Sequence, residues 1–128
     1  MLGELLALED GGFMINCAAG KDRTGIGCAL TLLALGVGEE AVFADYEFTN
    51  AAVDLAKRMP GIQTRMEARV GRKLDADTLR PMLGVDVDYL RAALAEIEAR
   101  YGSVLDYMGD ELGVGDDERR VLRTALLE

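Results

Sequence analysis

Five residues separate Cys17 from Arg23, with Thr24 next, in the stretch Asn16-Cys17-Ala18-Ala19-Gly20-Lys21-Asp22-Arg23-Thr24-Gly25. Those residue types at that spacing suit covalent chemistry on a phosphate. A cysteine attacks as its thiolate, so it needs surroundings that favour the charged form. An arginine guanidinium is a planar fork that can hold two phosphate oxygens at once. Ala18, Ala19 and Gly20 leave room for the backbone to approach a ligand closely. A loop of this kind can turn successive N–H groups into one concavity, and a helix beginning near Thr24 adds its positive dipole end. In the plainer alternative, Cys17 is a buried apolar residue and Arg23 a surface one. Cys28 lies on an apolar stretch, where core packing is the expectation and a redox role the alternative.

The elements that must position this loop are mostly helical. Phe13-Met14-Ile15 is a short apolar run after Gly11-Gly12, and the pattern predicts a buried strand at about 12–16, with a loop at 17–23. Residues 24–35 are apolar nearly all round, which predicts a buried helix with Gly36 behind it. Residues 2–9 predict a short amphipathic helix, and Gly38-Glu39-Glu40 opens another to about Thr49. Asn50 is a candidate cap for a helix to about Met59, interrupted at Pro60-Gly61 and followed by a polar helical pattern at 62–73. Asp75, Asp86, Ser103 and Asp116 are candidate caps for helices at 76–82, 87–101, 104–112 and 117–127. The fold class expected is therefore α/β, mostly helical, with one clear strand leading into the loop. A lone strand is not stable by itself. Another chain, or a further segment, is expected to complete its sheet.

Composition narrows the function. The 128 residues amount to one domain, half of them hydrophobic, with no run of 18 apolar residues. There is no histidine and there are two cysteines, which removes Ser-His and Cys-His catalysis and leaves too few ligands for a conventional zinc site. No metal and no cofactor is expected. Two cysteines, and a start without signal-peptide features, point to a reducing, cytoplasmic setting. The net charge of −9 argues against nucleic acid and anionic membranes as partners. Residues 57–80 depart from that, with 7 basic and 3 acidic side chains. Such an island could face an anionic ligand, although a solvated helix face is the commoner case. A Walker A loop is excluded, since Gly20-Lys21 is followed by Asp22, and no GxGxxG follows the expected strand.

NCAAGKDRTG resembles the phosphate-binding loop of the cysteine-based protein tyrosine phosphatases. It is most similar to the bacterial and fungal tyrosine/serine phosphatase branch, whose loop reads HC-x-AGKDRTG. ALTLLALGV, DYEFTN at 45–50, LGVDVDYLRAAL at 83–94 and YGSVLDYMGDELGV at 101–114 are similar to the helices after that loop. The resemblance covers about residues 12–127 and corresponds to the family's C-terminal half. The family's N-terminal half, which supplies most of its sheet and an arginine-bearing loop, has no counterpart in the 16 residues before Cys17. Asn16 stands where the family has a histidine, and it can donate hydrogen bonds but brings no charge.

The resemblance implies a phosphomonoester hydrolase acting through a phosphocysteine, weak or inactive as these residues alone, within a single incomplete phosphatase-like domain at 1–128. In that scheme Cys17 is the nucleophile. Arg23 and the amides of Ala18, Ala19, Gly20 and Lys21 hold the phosphate, and Thr24 hydrogen-bonds the sulfur. Asp22 is the local candidate for general acid, with a bracing role as the alternative; Glu9 and Asp10 lie at the far end of the expected strand. Lys21 suggests extra attraction for phosphate-rich substrates such as phosphoinositides, with a simple solvated lysine as the alternative; a phosphorylated protein or a phosphoinositide is the substrate class expected. A phosphate-binding module without catalysis is the other function class these residues allow.

Overall fold

The computed structural model describes residues 1–8 and 11–127. Among these residues there are eight helices and no strand. They are α1 (Leu2–Leu6), α2 (Asp22–Ala34), α3 (Glu39–Ala52), α4 (Leu55–Val70), α5 (Ala76–Leu83), α6 (Val87–Tyr101), α7 (Val104–Leu112) and α8 (Asp116–Leu127). The expected α/β class is therefore corrected to all-helical. Residues 12–17 have no regular structure, and no backbone ladder bond involves them among the described residues. A strand needs a neighbour's N–H and C=O groups, and none is offered here. Phe13 is 40% and Met14 84% exposed, so the run is not buried either. Side-chain packing holds the segment instead. A Cβ at Gly27 would lie 2.4 Å from Ile15 Cδ1, so the bare glycine of α2 is what lets Ile15 lie against the helix.

The core runs through α2. Ala29, Leu30 and Ala34 meet Val42 and Tyr46 of α3, Leu90 and Leu94 of α6, and Val104 and Met108 of α7 in one buried cluster, which Leu2 and Leu122 extend. Burial of these side chains is the main stabilising force. The caps of this body follow the chain's chemistry. Asp86 accepts the N–H of Asp88 at 3.0 Å, and Ser103 Oγ accepts that of Asp106 at 3.0 Å. At α8 the cap lies one residue before the expected Asp116. Gly115 N–H donates to the Glu118 carboxylate at 3.0 Å, the backward half of a capping box.

The helices α4 and α5 form a hairpin that is built differently. No described side chain of α4 is fully buried, and Leu74 and Leu79 are buried outside the main cluster. Asp54, not Asn50, caps α4 by accepting the N–H of Lys57 at 2.9 Å. The helix passes through Pro60 without the expected interruption. Proline's φ is compatible with a helix, so its cost here is a hydrogen bond and some crowding rather than a break. Asn50 lies inside α3 and ties that helix to the α5–α6 link. Its amide donates to Val85 O at 2.8 Å and accepts Val85 N–H at 2.9 Å. The α4–α5 link is closed by Glu67, which accepts Leu74 N–H at 3.0 Å and pairs with Lys73 at 3.0 Å.

Candidate functional site

Residues 17–21 curl into a tight loop, and α2 begins at Asp22, two residues before the expected start. Gly20 makes the turn possible, with φ +69°, a left-handed conformation that side chains disfavour. Its N–H donates to Cys17 Sγ at 3.2 Å. The first turn of α2 is fixed against α3 by a second glycine. A Cβ on Gly25 would come within 2.5 Å of the buried Tyr46 ring, so α2 seats on α3 only with no side chain at that position.

Cys17 is half-buried in a ring of donors. The Thr24 hydroxyl, followed by the N–H groups of Thr24, Ala19 and Gly20, lowers the Cys17 pKa from 9.0 to about 6. Partial burial works in the opposite direction and is outweighed. Thr24 Oγ1 is buried and has no partner at strict hydrogen-bonding geometry, which leaves its proton available to the neighbouring sulfur once that carries charge. The structure thus brings Cys17, Ala19, Gly20 and Thr24 together at the N-terminus of α2, where unsatisfied N–H groups and the helix dipole favour an anion. By contrast, burial and the charge of Asp45 raise the Cys28 pKa. Both cysteines are free thiols.

The side chains of three other expected residues, Lys21, Asp22 and Arg23, are engaged in other contacts. Lys21 is 11% exposed and turned towards α5, where Nζ donates to Gly84 O at 3.0 Å and Pro81 O at 3.3 Å. The same ammonium pairs with the Asp22 carboxylate at 2.8 Å, so Asp22 braces the loop in this conformation. Arg23 is exposed and lines a cavity bounded by Leu2, Ile26, Leu30 and Tyr107, on a different side from the loop's own cleft. Asn16 is exposed. Glu9 and Asp10, the upstream alternatives for a proton donor, lie outside the described residues.

The loop's cleft has a volume of about 360 Å³. Ala18, Ala19, Gly20 and Lys21 form one side, with Thr49 and Val53 of α3. The other side is the hairpin, contributing Arg58, Ile62 and Arg65 from α4 and Met82 and Leu83 from α5. Arg58 and Arg65 were not singled out in the sequence. Their signal was the basic island at 57–80, which the hairpin turns partly towards the loop. Among the described residues there is no cluster of side chains able to hold a metal ion, and no helix is long and apolar enough to cross a membrane.

A cysteine with a lowered pKa among backbone N–H groups at a helix N-terminus is an arrangement suited to an oxyanion. Comparison with known proteins gives the family. The model of the tyrosine phosphatase family matches residues 1–128, and the chain belongs to that family. It is similar to a protein named as a tyrosine-protein phosphatase in Cupriavidus necator, with 35% identity over 101 residues, covering 79% of this chain and 35% of the relative. It is also similar to the triple specificity protein phosphatase PtpB of Mycobacterium tuberculosis, with 33% identity over 110 residues, covering 76% of this chain and 37% of the relative. A tyrosine-protein phosphatase of Nostoc commune is 29% identical over 126 residues, covering 95% of this chain and 41% of the relative. The chain thus spans well under half the length of these relatives.

Proposed function

We propose that the chain carries the nucleophile and phosphate nest of a protein tyrosine phosphatase, working through a phosphocysteine intermediate. The observation that supports this most strongly is the Cys17 thiol, held among the donors of Thr24, Ala19 and Gly20 with its pKa lowered to about 6. In this scheme the Cys17 thiolate attacks phosphorus while the bond to the leaving oxygen breaks, and that oxygen takes up a proton. Water then attacks the phosphocysteine, releasing phosphate and restoring the thiolate. Loop amides and Thr24 stabilise charge on the phosphoryl oxygens and on the departing sulfur. Asp22 is the acid of the scheme and must leave its pair with Lys21 to serve. Arg23 is the guanidinium fork for the phosphate and must swing from its own cavity to the loop.

Residues 1–128 are taken as one phosphatase-like unit acting on phosphorylated protein side chains. A cytoplasmic setting belongs to the same proposal, because a chain with two cysteines, both free, suits a reducing compartment. The placement of Arg23 on a separate cavity favours a second reading, a phosphate-binding module without turnover.

Hydrolysis of an aryl phosphate by the chain and by its Cys17→Ser variant separates the readings. The first expects turnover that Cys17→Ser abolishes, with oxyanion binding retained, and that Arg23→Lys loses in large part. Oxyanion binding without turnover in the unaltered chain would leave the binding module. Undiminished turnover in Cys17→Ser would end the phosphocysteine scheme.

A further inference from the structure

We infer that the cleft takes a phosphorylated peptide carrying a second anionic side chain, with Arg58 and Arg65 as the site for that second anion; this rests on the phosphatase reading above. The two arginines line the same cleft as Ala18, Ala19 and Gly20 of the loop. Arg58 and Arg65 are seven residues apart on α4, with Ile62 between them, so all three share one helix face. Seven residues span about 10 Å along a helix axis, enough to flank a peptide rather than to share a single phosphate.

Their charges are uncommitted. The Arg58 guanidinium makes no hydrogen bond or ion pair among the described residues; only its backbone N–H is engaged, donating to Asp54 O at 3.1 Å. Arg65 uses only Nε, donating to Gly61 O at 3.3 Å, which leaves its terminal N–H groups available. This contrasts with Lys21, whose ammonium is fully engaged in bracing the loop. The first anion therefore belongs to the loop amides, and the second finds two free guanidinium groups on the facing wall. Val53 and Met82 add apolar surface to the same cleft, suited to an aromatic side chain that carries the phosphate.

Charge on the rest of the molecule favours a peptide over an anionic lipid surface. The chain carries −9 in total, with the surplus of basic groups confined to 57–80. A bilayer of anionic lipids would meet mostly acidic surface, whereas a short acidic segment reaches the cleft alone.

The test measures binding and turnover separately, on the full chain. Two fluorescent phosphotyrosine peptides are compared, one with neutral flanks and one with an acidic or second phosphorylated residue close by. Binding is read with the Cys17→Ser variant and turnover with the unaltered protein. The doubly anionic peptide is expected to bind about tenfold more tightly, and 0.5 M salt should erase most of that preference. Arg58→Gln and Arg65→Gln should each remove part of the preference, and Arg58→Lys should keep most of it, with circular dichroism confirming an unchanged helical fold. A preference in binding without any turnover would support the anion site while ending the phosphatase reading. Turnover with equal affinity for the two peptides, or a preference unchanged in the Arg58→Gln, Arg65→Gln double variant, would overturn the inference. So would stronger binding to phosphatidylcholine vesicles doped with a phosphoinositide than to either peptide, since the occupant would then be a lipid headgroup.

Discussion

The body built on α2 and the α4–α5 hairpin face each other across the same cleft, yet different forces hold them. The body is a continuous apolar cluster from Leu2 to Leu122, with Leu90 and Met108 fully enclosed. The hairpin contributes few buried side chains. It is tied down by polar links, Lys21 to Pro81 and Gly84 and Asn50 to Val85, and closed within itself by Glu67 to Leu74. Cys17 stands on the first region and the free arginines on the second. Apolar packing is cooperative and hard to loosen in part. A set of separate hydrogen bonds can open one at a time, so the hairpin is the region expected to open at lower free energy.

The largest break in this comparison comes from the body. Leu90→Ala removes a fully enclosed side chain at the meeting of α6 with α2 and α3, and is expected to cost about 2–5 kcal/mol of global stability. Urea unfolding followed by circular dichroism measures it; a loss under 1 kcal/mol would show that the cluster is not the cooperative core.

A smaller and more local effect is expected from Lys21→Met. It leaves the Pro81 and Gly84 carbonyls and the Asp22 carboxylate without their shared partner. The expected cost is about 1–3 kcal/mol, felt as faster hydrogen exchange in α5 with little change in α6. Equal acceleration in both helices would mean that the hairpin and the body open together.

The weakest effect is one of acidity. The Leu74 N–H, then Lys73, holds the Glu67 pKa below its ordinary 4.5. A carboxyl whose pKa is depressed in the folded state adds stability above its ordinary value, and that stability is lost as pH falls through the depressed one. The α4–α5 link should therefore loosen below about pH 4.5, ahead of the body, and Glu67→Gln should remove this step. Exchange at Leu74 measured against pH checks it.

Several helix ends, in the body and in the hairpin, were legible because each is a local matter. Asp75, Asp86 and Ser103 cap where their side chains can accept an N–H two or three residues on. The failures involve partners far away in sequence. Phe13-Met14-Ile15 has the composition of a strand, but a strand is made by its neighbours, and Ile15 met Gly27 of a helix instead. Asn50 has the chemistry of a cap and spends it on Val85, 35 residues away. Pro60 and Gly61 carry a break signal that α4 overrides. At the site, the loop and its cysteine were plain from spacing and small residues. The seat of Lys21, the turn of Arg23 away from the cleft, and the approach of Arg58 and Arg65 depend on how α4 and α5 fold back over the loop. No local pattern encodes that.

The central claim is that the loop and the start of α2 make Cys17 a thiolate at neutral pH. Its pKa, lowered from 9.0 to about 6, means the folded protein holds fewer protons than the unfolded one between those values. The accompanying stability is complete above pH 9 and is lost as pH falls through about 6. The direct measurement is the rate of iodoacetamide alkylation of Cys17 between pH 4 and 10, in a Cys28→Ser background that leaves a single thiol. A midpoint near 6, moving upward in Thr24→Val, is the predicted result. A midpoint near 9 that Thr24→Val does not move would contradict it, and would leave the loop with a cysteine but no activated nucleophile.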